Sequence, residues 1–327
     1  KNYASKKKND NLNAPKASAA LTKIPKVSKV FSSSLNVSLL FQLALMELKN
    51  IVRDNFFKAI LIAAVLFLFF DGWFGAPLYG TPSLPLTLYM LEVKSFTYII
   101  LIFILIVFMT GEVLHRERNV NYDQIFGSLP IPNKIVYGSK FLALVMISFI
   151  LVNLVLVSGL LNQVLKGYFN FEFDLYFIDL YLIEFPKYIT FIMLAFFVHS
   201  MVTKKFMGHV IAIAIWAFLF ALNSLADINN NLYLYSYTPN YTLSDMNGFG
   251  HFSEALLWFR TYWLACGAFL TIIGYLFWKR GTDSGFKARW QLAKERLNVK
   301  TISLLVVLLV VFFGSGAFIN YNTKTIN

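Results

Sequence analysis

The sequence predicts an all-α protein, a polytopic membrane helical bundle of about seven transmembrane helices plus interfacial amphipathic helices. Three observations predict it. Hydrophobic residues make up 57% of the 327 residues, aromatic residues 17% and charged residues only 14%, more apolar surface than one soluble core can bury. Apolar runs of spanning length recur along the chain, and the basic residues between them are distributed asymmetrically.

A helix needs about 17 to 25 predominantly apolar residues to cross a bilayer core. The qualifying runs are Phe56 to Gly75, Ser95 to Gly111, Ile135 to Leu161, Lys187 to Val202, Phe206 to Ser224, Phe259 to Trp278 and Thr301 to Asn320. Lys58 and Asp71 shorten the uncharged part of the first run, and Pro77 follows it closely. With a cytoplasmic N-terminus, only Lys94, Lys166, Lys187, Arg260 and Lys324 of the 29 Lys and Arg fall on the outer side. Basic residues favour the cytoplasmic side, so the expected orientation is N-terminus cytoplasmic and C-terminus external or periplasmic. The net charge of +12 is accounted for in the same way, without nucleic acid.

Two amphipathic helices are expected at the cytoplasmic face. In residues 37–54, Phe41, Ala44, Leu45, Leu48 and Ile51 recur at helical spacing, with Gln42, Lys49, Asn50 and Arg53 opposite. In residues 284–298, Phe286, Trp290, Ala293 and Leu297 form a stripe flanked by Lys287, Arg289, Lys294 and Arg296, which suits an anionic leaflet of membrane lipid. Ahead of both lies residues 1–36, a polar cytoplasmic linker rich in Lys, Asn, Ser and Ala, and residues 321–327 begin an external C-terminal segment.

Between the second and third spans, Tyr122, Ile125, Phe126 and Leu129 stand at i, i+3, i+4 and i+7. HRER precedes them, and Pro130 and Pro132 stop the helix. A short helix with one apolar face would project from the membrane as a knob. It suits docking to a soluble partner or serves as a solvated loop.

The interfacial LALMELKNIVRDNFF, a span, then GEVLHRER and LPIPNKIVYGSK resemble the ABC-2-type permeases of ATP-binding-cassette transporters. The order QVLKGYFNFEFDLY, SDMNGFGHF, WKRG and GSGAFINYNT is similar to the second membrane half of bacterial permeases fused to a zinc aminopeptidase. The resemblance implies a coupling helix at about residues 112–130 within a transmembrane permease domain at 37–320. It makes Glu112, Arg116, Glu117 and Arg118 the polar contacts with an ABC ATPase subunit, and Tyr122, Ile125 and Phe126 the apolar ones. It further implies ATP on that partner subunit, a second permease half in cis or as a dimer partner, and a bacterial inner membrane. A half of an ordinary ABC-2 permease has fewer spans; an external domain would explain the seventh.

The chain lacks G-x-x-x-x-G-K-[ST] and HExxH, so no nucleotide cradle and no peptidase zinc site is legible. No cofactor is expected on this chain, and the lone Cys266 reads as packing. His115, His199, His209 and His251 lack ligand spacing. His199 and His209 sit near predicted cytoplasmic ends, where an interfacial hydrogen-bonding role is expected. In FNFEFDLYFIDLYLIEFP the pair Glu172 and Asp174 forms an E-x-D that can mark a metal-dependent membrane glycosyltransferase. The stronger reading is an aromatic belt with Glu172, Asp174, Asp179 and Glu184 facing water. In SDMNGFGHF, Asp245 and Asn247 are turn formers, and join Glu172 and Asp174 as an outer-face candidate site. An anchor for an external zinc aminopeptidase, without transport, is the main alternative.

Overall fold

The computed structural model describes residues 33–74, 84–92, 96–225, 230–241, 248–250, 252–281 and 285–324. The helices are α1 (Ser33–Arg53), α2 (Asn55–Phe74), α3 (Thr87–Glu92), α4 (Phe96–Asn119), α5 (Asp123–Ser128), α6 (Asn133–Leu165) and α7 (Phe173–Phe177). After a π-helical turn at Ile178–Glu184 come α8 (Phe185–Met201), α9 (Lys205–Leu225), α10 (Phe252–Phe277), α11 (Phe286–Arg296) and α12 (Val299–Lys324). The expected linker at 1–36 lies outside the described residues except for 33–36, which already belong to α1.

Eight of the described helices are long and apolar enough to cross a membrane, one more than the sequence predicts. The additional one is α1, whose apolar face continues upstream of Val37. Leu40 packs beside Gly138 and Glu47 pairs with Lys140. Those contacts are about 10 Å apart along α1 and about 3 Å apart along α6 at 1.5 Å per residue. So α1 runs obliquely over the first turns of α6, as an interfacial helix would.

The fourth span also begins earlier than Lys187. From Phe173 to Met201 the chain is one continuous apolar helical stretch. Pro186 stands in the first turn of α8, directly after the π-helical turn.

The core lies between α4, α6 and α8. Tyr98, Ile102, Leu105, Ala143, Leu151, Val152, Ile192 and Phe196 are among its fully buried side chains. Small residues permit close approach: a Cβ at Gly159 or Gly274 would meet the hydroxyl of Tyr176 or Tyr137. By contrast α9 exposes Phe206, Val210 and Phe218, and α12 exposes Val299, Val306, Val310 and Phe313. Continuous apolar faces of this size suit lipid.

One end of the bundle carries α5, the ends of α4, α8 and α10, and the starts of α6, α9 and α12. The C-terminus of α12 lies at the other end, where Phe318 packs on Trp258 and Phe312 stacks on Tyr262.

Candidate functional site

At the α5 end, α4 runs on past its apolar section, and its final turns carry Glu112, Arg116, Glu117 and Arg118. Asn121 then takes a left-handed backbone, φ 54°, a conformation Asn reaches more cheaply than most residues. This reverses the chain into α5. The α4 charges all find partners within the chain. Glu112 pairs with Lys205 and Arg116 with Glu47. Glu117 accepts from Lys140 Nζ at 2.7 Å, and Arg118 donates to the Lys279 carbonyl at 3.1 Å.

Lys140 is the hub. Its ammonium, with the side chain 1% exposed, meets Glu117, Glu47 Oε1 at 3.3 Å and the Val113 carbonyl. A buried lysine needs such a set, since taking it out of water unpaired is prohibitive. The result ties α1, α4 and α6 together.

Arg280 performs the same service for α5. Its guanidinium lies over the Phe126 ring, 4.6 Å from the centroid, and donates to the carbonyls of Phe126, Leu129 and Ile131, the last at 2.8 Å. Gly127 and Gly281 bring the two backbones together, since a Cβ at Gly127 would stand 3.2 Å from the Gly281 Cα. Burial pulls the Arg280 guanidinium below its ordinary pKa, and the Glu117 carboxylate opposes that. Phe126 is therefore turned inward. Tyr122, 43% exposed, and Ile125, 59% exposed, face outward.

The arginines of α11 do not flank a headgroup stripe. Arg289 donates to the carbonyl of Met201 at 3.0 Å, and Arg296 to that of Trp278 at 2.6 Å, so they cap the C-terminal carbonyls of α8 and α10. Phe286 and Trp290 remain exposed as expected.

Just above this end, His115, His199 and His209 form a buried trio. Ring centroids of His115 and His199 are 5.7 Å apart, and those of His199 and His209 4.9 Å. Gly111 and Gly208 make the room, because a Cβ at either would run into these imidazoles. The expected interfacial placement does not hold, since the rings are buried inside the bundle. Packing of α4, α8 and α9 forces them together.

At the opposite end, the acids of the aromatic segment do not all face water. Asp179 and Glu184 are buried. Asp179 accepts from the Tyr241 hydroxyl at 2.7 Å, and Lys187 Nζ stands 3.4 Å from Glu184 Oε2. Burial, then the charges of Asp179 and Glu184, hold the Tyr241 phenol well above its ordinary pKa. The acids turn inward because the π-helical turn Ile178–Glu184 rotates their positions onto the bundle side. Glu172 and Asp174 do reach the surface, and the Glu172 N–H donates to Thr87. Asp245 and Asn247 lie outside the described residues. Among the described residues no group of three or more His, Cys, Asp or Glu could hold a metal ion.

Beside these acids is a cavity of about 500 Å³ lined by Glu184, Lys187, Phe191, Trp216, Tyr237 and Arg260 among others.

The model of a family described as ABC-2 family transporter protein matches residues 43–223, more than half of the chain. The chain belongs to the ABC-2 transporter family. It is thus an integral membrane protein and the permease component of an ATP-binding-cassette transporter, with an ATPase subunit implied as partner. No curated protein matches the permease.

The matched span begins within α1 and ends within α9, so it takes in the α5 knob, the lysine hub and the histidine trio. Sequence reading of this permease placed the knob from its heptad-like spacing. It does not find Glu47, Lys140 and Arg280, whose roles depend on contacts more than 20 residues away in the chain, those of Arg280 about 150; their only signal is a charge inside or beside an apolar run. Asp179, Glu184 and Arg260 carried the same signal at the other end.

Proposed function

We propose that this chain is one permease half that couples ATP hydrolysis by its partner ATPase to transport, with α5 as the coupling helix. The observation that supports the reading is the pair of exposed apolar side chains, Tyr122 at the N-cap and Ile125 within, of a six-residue helix tied by Arg280 to the end of α10. An isolated helix that short does not persist in water. Here Arg280 ties it to the end of α10, and the Lys140 network fastens the end of α4, from which α5 follows, to α1 and α6, so a push on α5 would reach several spans.

In this reading Tyr122 and Ile125 enter the ATPase, with Glu112, Arg116, Glu117 and Arg118 bordering the contact while fastening α5 to the bundle. The lysine hub and the arginine caps lie at the same end, so that end is assigned to the cytoplasm by the positive-inside rule. The C-terminus of α12 then emerges on the outer side. A second permease half, in cis or as a dimer partner, completes the pathway.

The test is photocrosslinking from Tyr122 and from Ile125 in the full-length protein in its native membrane, with mass spectrometry of the adducts. Capture of an ATP-binding-cassette ATPase at both positions, with the Tyr122 adduct lost when Ile125→Asp is added, is the expected result. Adducts only to lipid at both positions, under conditions where a known permease captures its ATPase, would overturn coupling and leave the anchor for an external aminopeptidase as the better account.

A further inference from the structure

We propose that the cavity between α4, α8, α9, α10 and residues 235–241 binds an anionic single-chain amphiphile, with Arg260 taking the anionic group and an aromatic wall taking the chain. This goes beyond coupling, because the site lies at the end remote from α5 and its occupancy requires no ATPase.

The volume, about 500 Å³, falls within the range of about 300–1,000 Å³ usual for small-molecule sites. Its lining is divided in character. Ile99, Phe191 and Trp216 supply apolar surface, and Trp216 is fixed by stacking on Phe103 with centroids 4.9 Å apart. Glu184, Lys187 and Arg260 supply charge. Lys187 stands 3.4 Å from the Glu184 carboxylate and is engaged with it, and the Asp179 carboxylate also lies near Arg260, so what this wall offers an anion is the guanidinium fork and not a surplus of positive charge.

Arg260 is 4% exposed, and its Nη1 donates to the Ser236 carbonyl at 3.2 Å. Its Nε has no hydrogen-bond partner among the described residues. A buried guanidinium donor left unmet is costly, and its planar fork matches the oxygens of a carboxylate or phosphate. A bound anion at the cavity wall would satisfy it.

The wall is built before any ligand arrives. Trp263 Nε1 donates to the Tyr237 carbonyl at 2.9 Å, and the Tyr235 hydroxyl to the Thr190 carbonyl at 2.9 Å. The hydroxyls of Thr190 and Ser236 are 2.6 Å apart. Ser236 is held at φ 69°, a left-handed backbone that serine seldom adopts and that persists only where surrounding contacts impose it. That conformation aims its carbonyl at Arg260. Preorganisation of this kind lowers the cost of binding.

The experiment is a binding titration by native mass spectrometry on the full-length protein in phosphatidylcholine nanodiscs. The probes are decyl phosphate, decanoate, decyltrimethylammonium and inorganic phosphate, all below micelle-forming concentrations. Decyl phosphate and decanoate are expected to saturate one site. Decyltrimethylammonium and inorganic phosphate should each bind at least tenfold more weakly, which separates an amphiphile from a free anion. Arg260→Gln should weaken both anionic probes at least tenfold. Trp216→Ala, which leaves the charged wall intact, should weaken decyl phosphate at least threefold and serves alone if Arg260→Gln does not fold. Equal binding of the cationic probe, binding of inorganic phosphate as tight as decyl phosphate, or unchanged affinity in the folded variants would overturn the proposal.

Discussion

Lys140 of α6 donates to Glu117 of α4 across 2.7 Å while only 1% of the lysine side chain reaches solvent. The same ammonium serves Glu47 of α1, so one cation joins three helices at the base of the α5 knob. Lys140→Ala takes the paired cation from Glu117 and leaves Glu47 with Arg116. Breaking a buried pair from one side costs about 3–5 kcal/mol. The melting temperature in detergent should fall sharply. Combining Lys140→Met with Glu117→Gln should recover part of the loss, since the uncompensated charge is then gone. A double variant as unstable as Lys140→Ala would show that the network is not what holds this end.

Gly208 faces His199 with no space for a side chain. In an exposed helix interior Gly→Ala stabilises by about 1 kcal/mol. Here Gly208→Ala should instead destabilise by about 1–3 kcal/mol, the usual cost of overpacking. His199→Ala in the same chain should relieve the clash, giving a coupling energy of about 0.5–3 kcal/mol in a double-mutant cycle of thermal stabilities. Additive effects would mean that Gly208 and His199 do not meet.

Tyr241 donates to the buried Asp179 at 2.7 Å. Tyr241→Phe leaves that carboxylate one donor short, and a hydrogen bond to a charged group is worth about 1.5–3 kcal/mol. Because Tyr241 stays protonated far above neutrality, the contribution of this bond to stability should not change between pH 7 and pH 9. A stability difference between wild type and Tyr241→Phe that collapses over that interval would contradict this assignment.

What was legible in the sequence follows from the range over which each signal acts. The spans of α6, α9, α10 and α12 are visible because lipid demands unbroken apolar runs. The α5 knob is visible because Tyr122, Ile125 and Phe126 share one helical face within a few residues. Which of them points outward is not, since Phe126 is drawn inward by Arg280, which lies 154 positions further along the chain. The start of the fourth span was hidden for a related reason. Asp179, Glu184 and Lys187 lower the local hydropathy as though they faced water, yet they are satisfied by partners that tertiary packing supplies. Local pattern reports polarity; it does not report whether a partner waits inside the bundle.

Arg280 should therefore decide how well α5 is held. Its guanidinium reaches three carbonyls around the α5 C-terminus and covers the Phe126 ring, while Tyr122 and Ile125 beside it stay exposed. In Arg280→Ala the amides from Phe126 to Ile131 should exchange with solvent deuterium at least tenfold faster, with exchange in the middle of α6 unchanged. Arg280→Lys should restore little, because an ammonium cannot span several carbonyls in one plane as the fork does. If α5 transmits force from an ATPase, the alanine variant should retain ATPase binding through Tyr122 and Ile125, yet lose stimulation of ATP hydrolysis by transport substrate. Unchanged exchange in Arg280→Ala would mean that packing of Gly127 on Gly281 fixes the knob by itself.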